Sequence, residues 1–130
     1  MSMSVEQFLS LSDAEQLQTI KDLNDIGQEE IIIDVLTGVG IDNLSVPLLG
    51  ELGRAYNNND KPEEAIKVFK TIDTEHRDAV WHYRCAYSHG SIASTNHEAY
   101  TSENMQQMLA LVDNGVQLAT KEDRNDRSEE

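Results

Sequence analysis

The chain has 130 residues and a net charge of −14, with 5% aromatics, two prolines and a single cysteine. That length holds one domain with a modest core. The charge excludes nucleic acid and anionic membrane surfaces as partners, because both need basic groups to displace counterions. No 18-residue apolar run is present, so no membrane span is expected, and the start MSMSVEQFLSLSD has neither the basic nor the apolar region of a signal peptide. Cys85 alone makes no internal disulfide, which fits a reducing, cytoplasmic setting.

The charge is uneven. Residues 1–44 carry nine acids and one Lys, residues 45–90 seven acids and six bases, and residues 91–130 eight acids and three bases. Acidic ends of this kind serve solubility and can also attract a basic partner.

In chain order, Val5, Phe8, Leu9 and Leu11 mark a short first helix with Ser4 and Gln7 as a weak capping box. Ser12 and Glu15 form a clearer box, ahead of an apolar face of Leu17, Ile20 and Leu23 that Gly27 interrupts. The spacing predicts a second helix from Gln28 to Thr37, burying Ile31, Ile32, Val35 and Leu36 and closed by Gly38. The alternative for its IIIDV run is a strand, but nothing else in the chain supplies a convincing strand to pair with it.

Leu48, Leu49, Leu52, Ala55 and Tyr56 follow at steps of three and four, with Ser45 as N-cap and Pro47 in the first turn. Asn57, Asn58 and Asn59 end that helix, and Asp60 with Glu63 is expected to cap the next. There Ala65, Ile66, Phe69 and Ile72 form the apolar face, and Gly53 and Ala65 are the small residues expected where two backbones approach. Asp78 caps a further helix from Ala79 to about His89, closed by Gly90. A last helix carries Met105, Met108, Leu109, Val112 and Val116 on one face, and the tail 121–130 has no apolar residue and is expected to be disordered. The caps Ser12, Ser45 and Asp78 are spaced by 33 and 33, and second helices are expected to open near Gly27, Asp60 and Ala93 to Thr95. Three such hairpins are the minimum that a stacked array needs for a continuous core.

Within residues 46–77, Leu52, Gly53, Tyr56, Ala65 and Phe69, with Leu49 and Ile72, resemble a tetratricopeptide repeat (TPR). Leu49 stands in place of the common Trp, and the closing Pro is absent near Arg77. The segment WHYRCAYSHG, through Trp81, Tyr83, Arg84 and Tyr87, resembles the opening of a first repeat helix in some bacterial members. The resemblance implies an all-α fold of stacked antiparallel hairpins, about six helices over one domain at 1–120, whose first helices line a concave groove. On that arrangement Pro47, Gly50, Arg54, Asn57 and Asn58 face the groove from the central hairpin, and Trp81, Arg84 and Ser88 from the next. Arg54 and Arg84 beside Asn side chains suit the carbonyls of an extended peptide, or a carboxylate. Gly50 and Glu51 stand where the family's carboxylate clamp needs other residues, so that particular clamp is not expected. Core packing is the plainer role for Trp81 and Tyr83.

His82, Cys85 and His89 share one helix face, but the two histidines are about 10 Å apart along the axis at roughly 1.5 Å per residue. No second Cys/His pair completes a tetrahedral site, so neither a metal nor a cofactor is expected. A mid-helix cysteine at a core position makes a poor nucleophile, and Glu29, Glu30, Glu63 and Glu64 suit helix first turns. The expectation is a non-enzymatic module binding a protein or peptide. The alternative is an acidic inhibitor or immunity-type protein that neutralises a basic partner. Homo-oligomerisation through the Met-bearing last helix is a third, structural option.

Overall fold

The capping residues do most to set where helices start. The computed structural model describes residues 3–95 and 109–119, and these are all-α, with no strand among them. Helix α1 (Val5–Leu9) begins at a full capping box of Ser4 and Gln7, and α2 (Asp13–Asp25) at one of Ser12 and Glu15. In the second, Ser12 Oγ accepts from Glu15 N at 3.2 Å and Glu15 Oε1 accepts from Ser12 N at 3.0 Å. Each box satisfies two donors that the helix start would leave without partners. Helix α3 spans Glu29–Val39, a 3₁₀ turn Ile41–Asn43, α4 Val46–Asn58 and α5 Pro62–Lys70. After a second 3₁₀ turn, Thr74–His76, come α6 (Ala79–Thr95) and a last helix, α7, over 109–119. None of the described helices is long and apolar enough to cross a membrane.

Contacts divide the chain into two compact units, Met1–Ile72 and Asp73–Glu130. In the first, α4 is the central helix, packed against α2, α3 and α5. Being surrounded, it buries residues nearly all round: Leu48, Leu49, Leu52, Ala55 and Tyr56 as expected, and also Glu51 and Asn57. Helix α1 lies on α3, where Val5 Cγ2 is 2.6 Å from the place a Cβ on Gly38 would take. Gly38 therefore receives a neighbour instead of ending the helix. The end falls two residues later, at Gly40 with φ 100°. Ile31 and Ile66, expected in the core, are half-buried, and Val68 is buried on α5.

Both hairpins of this unit turn in the same way. After α2, Gln28 N donates to Leu23 O at 2.9 Å and Gly27 N to Asn24 O at 3.2 Å, with Gly27 at φ 77°. After α4, Lys61 N donates to Tyr56 O at 2.9 Å and Asp60 N to Asn57 O at 3.4 Å, with Asp60 at φ 58°. These are two Schellman turns, in which one left-handed residue lets the chain return hydrogen bonds to the last carbonyls. The expected capping role of Asp60 is thereby corrected. It is the left-handed residue of the turn, Lys61 precedes α5, and no side chain caps that helix.

In the second unit Trp81 N donates to Asp78 Oδ1 at 2.8 Å, so the third cap forms as read. Helix α6 then runs through Gly90 and through the turn expected at Ala93. A helical glycine costs only about 1 kcal/mol, and Gly90 is not among the glycines with positive φ. The face read for the last helix is also corrected. Leu109, Val112 and Val116 are exposed, whereas Gly115 is buried, its Cβ place 3.2 Å from His82 Cβ. The smallest residue decides which side meets α6. Met105, Met108 and the tail at 121–130 lie outside the described residues.

Candidate functional site

Helices α2 and α4, the first members of the two consecutive hairpins, pack side by side. Between them opens a cavity of about 390 Å³. Its apolar lining is Ala14, Leu17, Pro47 and Leu48, and its polar lining Asp13, Gln16, Asn43 and Ser45. Local bonds hold these polar groups. Gln16 Nε2 donates to Phe8 O and Leu11 O at 3.2 and 3.3 Å, and Asn43 Nδ2 donates to Val39 O at 3.0 Å. Ser45 Oγ accepts from Leu48 N at 3.4 Å as the cap of α4. Asp13 makes no ion pair among the described residues.

Further along the same two helices a polar cluster ties them together. Asn24 Nδ2 donates to the Glu51 carbonyl at 3.1 Å, in a buried setting. Arg54 Nη2 meets Asp25 Oδ1 at 3.0 Å, and its Nη1 meets Glu51 Oε1 at 3.5 Å. The Glu51 side chain is only 4% exposed, so the guanidinium supplies counter-charge where water cannot. Asp25 is largely exposed, and that arm is worth at most about 1 kcal/mol. Asn24 Oδ1 is buried with no hydrogen-bond partner.

The residues expected in the groove are placed as follows. Arg54 is half-buried and held by its two carboxylates, Asn57 is buried and Asn58 is exposed at the end of α4. In the second unit Trp81 is half-buried, with the Arg77 guanidinium 4.4 Å from its ring centre and His82 edge-on at 4.8 Å. Arg84 is half-buried. Ser88 is fully buried, its Oγ donating to Arg84 O at 3.1 Å. Tyr83, for which core packing was the plainer role, is 63% exposed.

Sequence reading missed Asp13, Gln16, Leu17 and Asn43 as lining residues. A signal was present for one other position: Pro47, read as a groove residue, lines the cavity and stands 33 positions after Ala14, which lines it too.

Two groups have shifted acidities. The backbone N–H of Ser12, and then its hydroxyl, hold the Glu15 carboxyl below its ordinary value. Burial, followed by the charge of Glu64, pushes the Tyr56 phenol up. Cys85 is buried and unpaired with any other cysteine. His82 Nδ1 lies 2.9 Å from Asp78 O. Among the described residues no three His, Cys, Asp or Glu side chains gather to hold a metal ion. Comparison with family models, with curated proteins and with solved structures gave no match to this chain.

Proposed function

We propose that the chain is a TPR-like helical-hairpin module of the cytoplasm that captures a peptide or helix of another protein, without catalysing a reaction. The observation that carries this reading is the cavity between α2 and α4, two helices whose caps stand 33 residues apart. A hollow flanked by parallel first helices is where a repeat of this kind receives an extended or helical segment. The matching turns at Gly27 and Asp60 support a repeat, as do the matched buried positions Ile32 and Ala65, Val35 and Val68, Leu36 and Phe69.

A second reading, an acidic inhibitor of a basic protein, is favoured by the nine acids against one Lys in residues 1–44. Salt separates the two. Capture in a cavity survives moderate salt, whereas charge-led inhibition weakens steeply as the screening length falls below about 10 Å. The direct test pans a random peptide library against the immobilised full chain and maps the selected peptides by amide shift changes. Changes clustered at 13–17 and 43–48, lost in Leu17→Ser, are expected. Binders whose shift changes fall elsewhere, or no binders at all, would sink the cavity reading. Arg54→Glu is a poor probe, because it sets a third carboxylate beside Asp25 and Glu51.

A further inference from the structure

Resting on that peptide-capture reading, we infer that the α2–α4 cavity is a subsite for an arginine side chain of the partner polypeptide, its stem on the apolar lining and its guanidinium at Asp13. The chemistry of the lining selects the cation. Gln16 and Asn43 both line the cavity, and both have their amide nitrogens drawn off to backbone carbonyls. Gln16 has thereby used both its N–H groups and offers a ligand its carbonyl oxygen, while Asn43 offers its carbonyl oxygen and keeps one N–H. Asp13 adds a carboxylate without an ion pair among the described residues. Ser45, already accepting from Leu48 N, and the second N–H of Asn43 are the side-chain groups there able to donate. An acceptor-rich set beside Ala14, Leu17, Pro47 and Leu48 suits a side chain that is apolar along its length and a multiple donor at its tip.

Arginine fits better than lysine. Its planar fork meets a carboxylate with two bonds and keeps further N–H groups for neighbouring oxygens. The size agrees, since about 390 Å³ is at the small end of the roughly 300–1,000 Å³ of ligand pockets, room for one long side chain.

The competing occupant is a carboxylate, because helix starts favour anions. Here the starts of α2 and α4 have fewer donors left for it. Ser12 Oγ takes Glu15 N, Ser45 Oγ takes Leu48 N, and Pro47 has no N–H to give. The surrounding charge opposes an anion as well, with nine acids and one base in residues 1–44.

The test titrates the isotopically labelled full chain with three blocked pentapeptides that differ only at the centre: arginine, its neutral isostere citrulline, or glutamate. The arginine peptide is expected to shift the amides of 13–17 and 43–48 and to bind up to about fivefold more tightly than the citrulline peptide, the upper end for a solvent-accessible ion pair. In Asp13→Asn, an exposed position that leaves the core untouched, that preference should fall to about one. It should also narrow as salt is raised. Equal binding of arginine and citrulline, or a preference for glutamate, overturns the inference while leaving peptide capture standing. So does library binding with no arginine-dependent shift at the cavity. Failure of every peptide, library and pentapeptide alike, overturns both.

Discussion

Replacing Gly53 by Ala is the sharpest test of how the central hairpin closes. In an exposed helix the change would stabilise by about 1 kcal/mol, through helix propensity alone. Here the added Cβ would overlap Phe69 Cε1 and lie 2.5 Å from Cζ and 2.8 Å from Cδ1. Carbon atoms in contact prefer about 3.5–4.0 Å, so the ring must move by about 1 Å or more. Phe69 is 0% exposed and has little room to do so. Overpacking of this kind costs about 1–3 kcal/mol, and a rigid buried ring facing rigid helix backbone belongs at or above the top of that range. After the propensity gain, a net loss of about 2 kcal/mol is expected, roughly 10 °C in Tm for a unit of this size. Urea unfolding followed by circular dichroism measures it, with unchanged m-values as the check that only stability moved. Phe69→Leu alone should cost about 1–2 kcal/mol through lost ring volume. In the double variant the added methyl finds the space the ring vacated, so the double should be no less stable than Phe69→Leu. The two changes thus couple by about 2 kcal/mol. A Gly53→Ala protein as stable as the parent, or strictly additive losses, would refute the close approach of α4 and α5 at this point.

Asp60→Gly should raise stability by about 1 kcal/mol by relieving a left-handed non-glycine residue, while Gly27→Ala should lower it by about as much, although the nearest atom there is 3.9 Å away; thermal midpoints decide. Arg54→Met should cost about 1–2 kcal/mol because the buried Glu51 carboxylate loses counter-charge, and Glu51→Gln in the same chain should recover most of it; no recovery would show that Arg54 acts through Asp25. Ser12→Ala should cost about 1 kcal/mol near neutral pH as a lost cap. Glu15 has a folded pKa below its ordinary 4.5, so its contribution is complete above that value and is lost as pH falls through the folded one. Ser12→Ala keeps the backbone N–H and loses only the hydroxyl's smaller share of that shift, so the gap between parent and variant should narrow in acid by that share alone, in urea midpoints compared at neutral and low pH. Tyr56, raised from 10.0, favours folding below that pH and loses its contribution above it, so Tyr56→Phe should flatten the alkaline decline.

The legible parts of the fold were those set by residues three or four apart. Ser4, Ser12, Ser45 and Asp78 announce helix starts because a cap is a short-range bond between a side chain and a nearby N–H. Asp60 was misread because Asp serves both as a cap and as a left-handed turn residue, and only the path of the chain decides between them. Gly90 was misread because a glycine ends a helix only where its backbone turns left-handed, which the residue type permits without requiring. Periodicity found one apolar face on the last helix, and the close contact at Gly115 lies off it. At the site, the partners of Arg54 include Asp25, 29 positions away, and nothing local marks a groove arginine as already paired. The cavity depends on how α2 and α4 lie together, which no single helix encodes.

The two hairpins of the first unit share a pattern of buried places, with different residues at those places. Gly53 and Phe69 meet in the second hairpin, and the corresponding positions of the first, 33 earlier, are Ile20 and Leu36, both fully buried. The matched places hold a very small and a very large residue in one hairpin and two of middle size in the other. Gly27 and Asp60 differ likewise, yet both take a left-handed backbone at the same point of the turn. What repeats is burial at the matched places and the handedness of one residue, not the letters. The same displacement sets Ala14 and Leu17 against Pro47 and Gly50 along the face of α2 and α4. There the first hairpin supplies the larger apolar side chain and the second supplies none at Gly50. Ala14, the smallest side chain of the cavity lining, is the place to fill the hollow, and Ala14→Leu should abolish arginine-peptide binding while leaving the Schellman turns and both capping boxes intact.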